Sequence, residues 1–253
     1  MDCVGTDEVA QSYGGRETRN ALASVTPELP EERVRLLEQT LPTGPIVPLD
    51  LFSRGTDMHR DQFKRTRAED YIHNYPEMLG LKVNAKAGIY DVVGLTKWRG
   101  EKSKRHIEFG EKLGLSAGSY VVFDFWKQEM LGVFQDGLDI EIEPHDTRVL
   151  LIHPLLGRPQ LMGISRHITG AYSILDLSWD GAKNTLRGSS ETVRGAPYAM
   201  WFYVPDAVRV AEVRAASSGR DVAVHQRTAG RSLEIGFAGQ EQRVDWELEF
   251  ASR

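Results

Sequence analysis

Cysteine is nearly absent from this sequence, which has only Cys3 among its 253 residues. A single thiol excludes an internal disulfide framework and a cysteine-based zinc cluster. A surplus of basic residues is also missing: the formal net charge is -5, which argues against a general binder of nucleic acids or anionic membranes. Hydrophobic residues make up 41% of the chain and charged residues 26%. This composition is typical of a globular protein and excludes disorder over the whole chain.

Long apolar runs are missing as well. No stretch approaches the roughly 18–20 apolar residues of a membrane span. Residues 1–15 are polar and acidic, without the apolar core of a signal peptide. We therefore expect a soluble protein with no membrane partner, located in the cytoplasm if the chain is complete.

One helix signal occurs in the first 80 residues. Pro30 suits the first helical position. Val34, Leu37 and Leu41 then fall on one face, at spacings of three and four residues, and Pro42 ends the pattern. A helix this short needs a partner surface to be stable.

Irregular segments lie on both sides of this helix. Residues 1–28 show no period and hold a glycine pair, which predicts a loop or frayed end. Residues 43–81 are interrupted by prolines and carry a cluster of charges. A stretch of this length without regular structure is unusual inside a compact domain and predicts a connector that wraps over another body.

From residue 89 onward the hydrophobic period changes to two, which is typical of β-strands. In the clearest case Leu138, Ile140 and Ile142 alternate with acidic residues, so one strand face should be dry and the other wet. The run 149–152 is apolar on both faces and predicts a central strand, and Asp136-Gly137 is a hairpin signal. The first set of predicted strands is Ile89–Leu95, His106–Phe109, Tyr120–Trp126, Met130–Phe134, Leu138–Glu143 and Thr147–His153.

A second set of strands follows a seam at residues 154–159. Turn signals such as Asp180-Gly181 and Ser218-Gly219 recur at short intervals, as in sandwiches and barrels. The predicted strands are Gly170–Asp180, Tyr198–Val204, Val208–Val213, Val222–His225, Leu233–Phe237 and Arg243–Phe250.

These patterns predict a mainly β protein with two antiparallel β-sandwich units in series, preceded by one short helix and a long irregular connector. The predicted parts are residues 1–28 (loop-like N-terminus), 29–80 (helix and connector), 81–156 (first sandwich) and 157–253 (second sandwich).

One carboxylate stands apart from the other acids. Asp124 lies among Phe123, Phe125 and Trp126, and burial there would raise the pKa of its carboxyl group. The alternative is a buried acid satisfied by backbone donors or by an arginine. No second acid has a sequence-defined position relative to Asp124, so no catalytic pair is predicted.

Motifs for other chemistries are missing. The seven histidines show neither HxH nor HExxH spacing. His145 and His153 flank a predicted strand, but a turn role for residues 144–147 is the better interpretation. The sequence contains no GxSxG elbow, no GxxxxGK phosphate loop and no DxDxDG calcium loop. We predict neither a metal site nor a cofactor.

The five tryptophans offer flat faces for sugar stacking. Trp201 and Trp246 fall on predicted strands at positions expected to face inward, and we expect both in the core. Trp98 and Trp126 sit at strand ends beside basic residues, so these two are the candidate carbohydrate-binding side chains.

Several segments together resemble the region that follows the catalytic barrel in α-galactosidase-like (melibiase-type) glycoside hydrolases. The resemblance covers about residues 28–160, whereas residues 160–253 look like a further β module attached to some members of that group. The segments that carry it are Leu29-Pro30-Glu31-Glu32-Arg33, Leu41-Pro42, Pro48-Leu49-Asp50-Leu51-Phe52, Tyr90-Asp91-Val92-Val93-Gly94-Leu95, Trp98, Leu113-Gly114-Leu115, Tyr120 to Trp126, Leu131-Gly132 and Pro144 to Leu151.

The resemblance implies a chain without its catalytic domain. In that family the two catalytic aspartates lie on a (β/α)8 barrel of about 250 residues, and fewer than 30 residues precede the helix here. Ser178-Trp179-Asp180 only superficially matches the family's Trp-Asp context, so no catalytic residue is carried over. The helix would be the last barrel helix.

Three functions remain open from the sequence. The first is a non-catalytic C-terminal β-sandwich region of an α-galactosidase-like glycoside hydrolase, which supports a (β/α)8 catalytic domain or subunit that this chain lacks. The second is a carbohydrate-binding β-sandwich module. The third is a self-contained glycosidase that uses Asp124 or His145, and it has the least support because no catalytic constellation is visible.

Overall fold

The structure, a computed structural model, describes residues 30–41, 44–49, 77–97, 101–240 and 243–253. The chain forms two compact units, residues 1–43 and 44–253. The predicted domain bounds at 28/29, 80/81 and 156/157 stay predictions.

The described part of the first unit is one helix. Helix α1 spans Glu31–Thr40, with Pro30 as the N-terminal cap residue. The predicted helix is therefore confirmed. It contains an i,i+4 ion pair between Arg35 and Glu31 at 2.6 Å, and none of its residues is buried.

The second unit holds all the described strands and a short helix, α2 (Phe109–Leu113). Neither α1 nor α2 is long and apolar enough to cross a membrane. The strands are β1 (Val47–Pro48), β2 (Met78–Ala85), β3 (Gly88–Thr96), β4 (Ser103–Glu108), β5 (Tyr120–Asp124), β6 (Glu129–Phe134), β7 (Gly137–Ile142), β8 (Thr147–Pro154), β9 (Gln160–Ile164), β10 (Ile174–Asp180), β11 (Thr185–Glu191), β12 (Pro197–Tyr203), β13 (Val208–Ser217), β14 (Arg220–Asp221), β15 (His225–Ala229), β16 (Ser232–Ala238) and β17 (Arg243–Ser252).

These strands form four antiparallel sheets. Sheet A has six strands in the order β1-β2-β3-β8-β5-β6, and sheet B pairs β4 with β7. Sheet C has the order β15-β16-β12-β9, and sheet D has the order β10-β11-β17-β13-β14. The predicted mainly β, antiparallel fold class is therefore confirmed, and the described residues contain no (β/α)8 barrel.

Three hydrophobic clusters show how the sheets pack. The first joins sheet A to sheet B, for example through Val122 and Ile140. The second joins the other face of sheet A to sheet C, through Phe123 and Trp201. The third fills the space between sheets C and D and includes Trp246. The layers therefore follow the order B, A, C, D.

Alternation along the strands explains this layering. In β5, Tyr120 and Val122 belong to the cluster on sheet B, whereas Val121 and Phe123 belong to the cluster on sheet C. Successive side chains of a strand point to opposite faces, so sheet A is buried on both sides there. The run 149–152 of β8 lies between β3 and β5, as its two-sided apolar pattern predicts.

The outer sheet B shows the opposite pattern. Leu138, Ile140 and Ile142 of β7 are buried, and the acidic residues between them are exposed. The prediction of one dry and one wet face is confirmed for this strand. Charges on the wet face pair across the sheet, for example Lys104 with Asp139 at 2.7 Å.

Several local predictions are wrong. Residues 78–81, predicted as part of an irregular segment, belong to β2, and residues 170–173, predicted as strand, form a loop before β10. The turn at Asp136-Gly137 does not close a hairpin, because β6 pairs with β5 in sheet A and β7 pairs with β4 in sheet B. β7 has one wet face and suits an outer layer, so the chain changes sheets at this turn. Residues 222–224 are not a strand, and β15 begins only at His225.

Gly170 is a position where only glycine fits. It lies in the loop between β9 and β10 with φ +75°, and an added Cβ would come within 2.1 Å of Leu151 Cδ2. Leu151 is fully buried in the cluster between sheets A and C, so its side chain has little room to shift. Gly157 has a similar φ of +68° but open space around its Cβ position.

We expect Gly170→Ala to destabilise the second unit far more than Gly157→Ala. Both variants meet the cost of a left-handed backbone, about 1–2 kcal/mol, and only the first adds a clash in a packed core, about 1–3 kcal/mol. Urea unfolding of the two variants measures the difference. An equal decrease in the free energy of unfolding for both variants would show that the loop around Gly170 shifts to accommodate the added methyl group.

Candidate functional site

Asp124 lies at the end of β5 and is fully buried. One carboxylate oxygen accepts a hydrogen bond from Nε of Arg148, and the other accepts one from the backbone N–H of Lys127 at 3.0 Å. Arg148 is only 5% exposed and donates a further hydrogen bond to the carbonyl of Glu141 at 3.1 Å. Both carboxylate oxygens are therefore engaged, in the arrangement expected of a structural acid.

We expect Asp124→Asn to destabilise the fold by about 3–5 kcal/mol, because it leaves Arg148 as a buried charge without a counter-ion. The double variant Asp124→Leu with Arg148→Met should regain most of that loss. Chemical unfolding measures both. Asp206→Asn, which breaks an exposed pair with Arg231, is the matched control and should leave the free energy of unfolding nearly unchanged. An equally mild effect of Asp124→Asn would contradict this account.

The tryptophans divide between core and turn. Trp201 and Trp246 are buried, as expected. Trp126 lies in the turn after β5, is half-buried, and packs edge-on against Phe125 with ring centroids 4.8 Å apart. Trp98 lies outside the described residues. Trp126 therefore presents only part of its surface to a ligand.

Ser178-Trp179-Asp180 ends strand β10 and has a structural role. Trp179 is half-buried and packs on Phe250 at a centroid distance of 6.1 Å. The guanidinium of Arg158 lies 5.5 Å from the Trp179 ring centroid, which is the geometry of a cation–π contact. The Asp180 carboxylate accepts hydrogen bonds from the backbone N–H groups of the turn that follows. These contacts make the segment a strand end and a turn.

The two histidines that flank β8 do not meet. His145 is exposed in a turn with φ +57°, and its backbone N–H donates a hydrogen bond to the backbone carbonyl of Lys97 at 2.7 Å. His153 lies near the other end of β8, inside the cluster between sheets A and C. Its ring stacks on Tyr90 with centroids 3.8 Å apart. Its Nε2 has no hydrogen-bond partner among the described residues.

Burial sets the charge state of His153. Desolvation lowers the pKa of its imidazole to about 3, and a backbone hydrogen bond with Met162 only partly opposes this. The folded protein therefore keeps His153 neutral where an unfolded chain would protonate it. Protonation of the unfolded chain favours unfolding as the pH falls below about 6.5.

We expect this histidine to make the fold sensitive to acid. The stability that neutral His153 contributes is fully present above about pH 6.5 and is lost as the pH falls toward 3. Between about pH 6 and pH 4, the free energy of unfolding should fall by about 1.4 kcal/mol per pH unit more steeply in the wild type than in His153→Leu. Urea unfolding across this range measures the slopes. Removal of the exposed His106 by His106→Leu is the control, and an equal flattening there would refute the role of His153.

An open groove of about 460 Å³ lies on the face of sheet D that points away from sheet C. The strand register brings one row of residues together across all five strands of that sheet. In order from β10 to β14 this row is Asp176, Ser189, Asp245, Ala216 and Asp221. The small side chain of Ala216 leaves room between the charged ones, and Ser189 is buried at the groove floor.

Arginines and acids surround this row. Arg187 pairs with Glu247, and Arg243 pairs with Asp245 at 2.8 Å. Arg214 is 3.7 Å from Glu247. The groove is thus lined by both hydrogen-bond donors and acceptors, held in place by ion pairs across the strands at Glu247 and within β17 at Asp245.

Sequence reasoning did not identify this groove as a site. The alternating polar residues of β17 are visible in the sequence, but β11, which supplies Arg187 and Ser189, was not predicted as a strand. Its segment contains Gly188 and several polar residues, which weaken a strand pattern. The cross-strand register, which brings the row together, has no signal in the sequence.

The described residues contain no group of three or more His, Cys, Asp and Glu side chains that could hold a metal ion. Of the predicted site residues that the structure describes, neither Asp124 nor Trp126 lines the groove. The groove is therefore a different candidate site from the one that the sequence analysis predicted, and the prediction for Trp98 and Trp126 stays a prediction.

Comparisons with known proteins identify no family and no function for this chain. No family model matches the sequence, and no curated protein matches it. Among solved structures, the chain is similar to isomalto-dextranase of Arthrobacter globiformis T6 in complex with panose, with 13% sequence identity and a TM-score of 0.28. The match covers 69% of this chain and 37% of the isomalto-dextranase chain. A similarity this weak assigns neither a fold nor an activity.

Proposed function

We propose that this chain is the non-catalytic, β-rich C-terminal part of an α-galactosidase-like glycoside hydrolase, and that it supports a (β/α)8 catalytic domain or subunit. The observation that carries the proposal is the strand pairing. Every strand pair in the described residues is antiparallel, whereas the catalytic barrel of that family consists of eight parallel strands.

The segments that resemble this family fit a supporting role. Residues 90–95, 120–124 and 147–151 lie on β3, β5 and β8, which are neighbours at the centre of sheet A. These segments build the doubly buried sheet and contribute packing. The resemblance thus rests on residues that define a sandwich, and it supplies no group for chemistry.

The acids also fit a supporting role. A glycosidase needs a carboxyl group that keeps its proton near neutral pH, which requires burial or a nearby like charge. Asp124 is buried but neutralised by Arg148. Asp176 and Asp245 in the groove are exposed, and Asp245 is ion-paired. This arrangement favours a non-catalytic function.

Helix α1 supplies a surface for the catalytic domain. Its Val34 and Leu37 are half-buried and its Leu36 is 48% exposed. A ten-residue helix without a buried residue gains stability mainly from packing against a partner. The last helix of a barrel would obtain that packing from its barrel neighbours.

We expect the chain to lack turnover of an aryl α-galactoside and to stabilise an α-galactosidase barrel that has lost its own C-terminal region. Added in excess, the chain should raise the unfolding midpoint of that barrel by about 2–4 °C, the shift that about 1 kcal/mol produces in a domain of this size. Leu37→Asp in the chain should remove the effect, because it places a charge on the apolar face of α1.

Glu38→Asp is the matched control, since Glu38 is exposed on the same helix. Turnover by the chain alone that a single change at Asp124 or Asp176 abolishes would contradict the proposal. An unchanged unfolding midpoint of the barrel would contradict the supporting role.

The second candidate function is a carbohydrate-binding module. Trp126 supports it weakly, because the ring is half-buried against Phe125. The groove on sheet D is the observation that favours it.

A further inference from the structure

We propose that the groove on the outer face of sheet D binds a neutral oligosaccharide, which lies across the strands along the row from Asp176 to Asp221. Trp126 does not line this groove. The inference rests on the chemistry of the groove and holds whether or not the chain supports a catalytic barrel.

The dimensions of the row suit an extended ligand. Asp176 and Asp221 lie on the two edge strands of a five-stranded sheet, and four strand spacings of about 4.8 Å place them about 19 Å apart. The groove is open at its centre, because the side chain of Ala216 is short, and the buried Ser189 forms part of its floor. A ligand of several sugar rings has this length.

The charges indicate a neutral ligand. The groove is lined by four carboxylates (Asp176, Asp221, Asp245, Glu247) and three guanidinium groups (Arg187, Arg214, Arg243), so its formal charge is -1. Carboxylates along the row repel an anion, and the arginines beside it repel a cation. Vicinal hydroxyl groups can accept from arginine and donate to aspartate at the same time.

Three side chains in the row have unused hydrogen-bonding capacity. The carboxylates of Asp176 and Asp221 form no ion pair with any described residue. Ser189 is 1% exposed, and its hydroxyl finds no hydrogen-bond partner in the described part of the chain. Buried hydroxyls are rarely left unpaired, and a ligand hydroxyl at the groove floor would supply the missing partner once the longer side chains around Ser189 move aside.

The test is isothermal titration calorimetry of the whole chain with three neutral trisaccharides (maltotriose, cellotriose and raffinose), and with inorganic phosphate as the anionic probe. We expect at least one trisaccharide to bind and phosphate not to bind. Ala216→Tyr fills the centre of the groove and should raise the Kd at least about tenfold, because it blocks several contacts worth about 1 kcal/mol each.

The matched control is Ala251→Tyr. Ala251 is also half-buried, on β17 of the same sheet and on the same face by strand alternation, but outside the groove, so this change should leave the Kd within about twofold. Ser189→Ala removes a hydroxyl that has no partner among the described residues, so it should leave the unfolding midpoint unchanged or higher and raise the Kd about fivefold.

Three results would overturn the proposal. The first is failure of all three trisaccharides to bind the wild-type chain. The second is phosphate binding that Ala216→Tyr abolishes, which would make the groove an anion site. The third is trisaccharide binding that survives Ala216→Tyr and disappears in Trp126→Ala, which would assign recognition to the turn after β5.

Discussion

Burial of sheet A on both faces is the constraint on which the other layers depend. Its central strands supply side chains to the cluster shared with sheet B and to the cluster shared with sheet C. A sheet in this position cannot place a charged residue on either face without a buried partner. Sheets B and D, at the outside of the stack, keep one wet face each, and their charged residues lie there.

The polar groups inside the stack follow from the same constraint. Asp124 and Arg148 satisfy each other within sheet A, on adjacent strands β5 and β8. Tyr90 donates its hydroxyl proton to the carbonyl of Thr169, in the loop that also contains Gly170. Ile168 and Ala171 of this loop pack in the cluster between sheets A and C. His153 remains neutral there because its site excludes water.

The hydrophobic periodicity was sufficient to predict the fold class, because in a layered β protein the apolar and polar residues of each strand follow which of its faces are buried. The alternation of β7 and the two-sided run of β8 gave the correct wet, dry and central positions. Periodicity failed where a strand is polar or rich in glycine, as in β11, and where the partner of a strand is decided in three dimensions, as for β6 and β7. Helix α1 was predicted because Pro30 and Pro42 bound a segment whose apolar residues recur at spacings of three and four.

The candidate site was much less predictable than the fold. Asp124 attracted notice because of its aromatic neighbours, but its partner Arg148 lies 24 residues away, and no local pattern connects them. The row in the groove combines residues from five strands whose order along the chain is β10, β11, β13, β14, β17. Such a row exists only after the register of four strand pairs is fixed. A sequence pattern records the face of each residue and leaves the register open.

The layering also separates stability from recognition. The segments that resemble a glycoside hydrolase lie in the doubly buried sheet A, where a change in volume or charge costs several kcal/mol. The groove lies on the outer face of sheet D, where most side chains are exposed and substitutions usually change stability by less than about 0.5 kcal/mol. Its arginine–carboxylate pairs contribute little to stability at such exposure, yet they hold donors and acceptors at fixed positions across the strands. The chemistry of this face can therefore change without loss of the fold, so recognition should be sought in the outermost layer and not in the segments that carry the family resemblance.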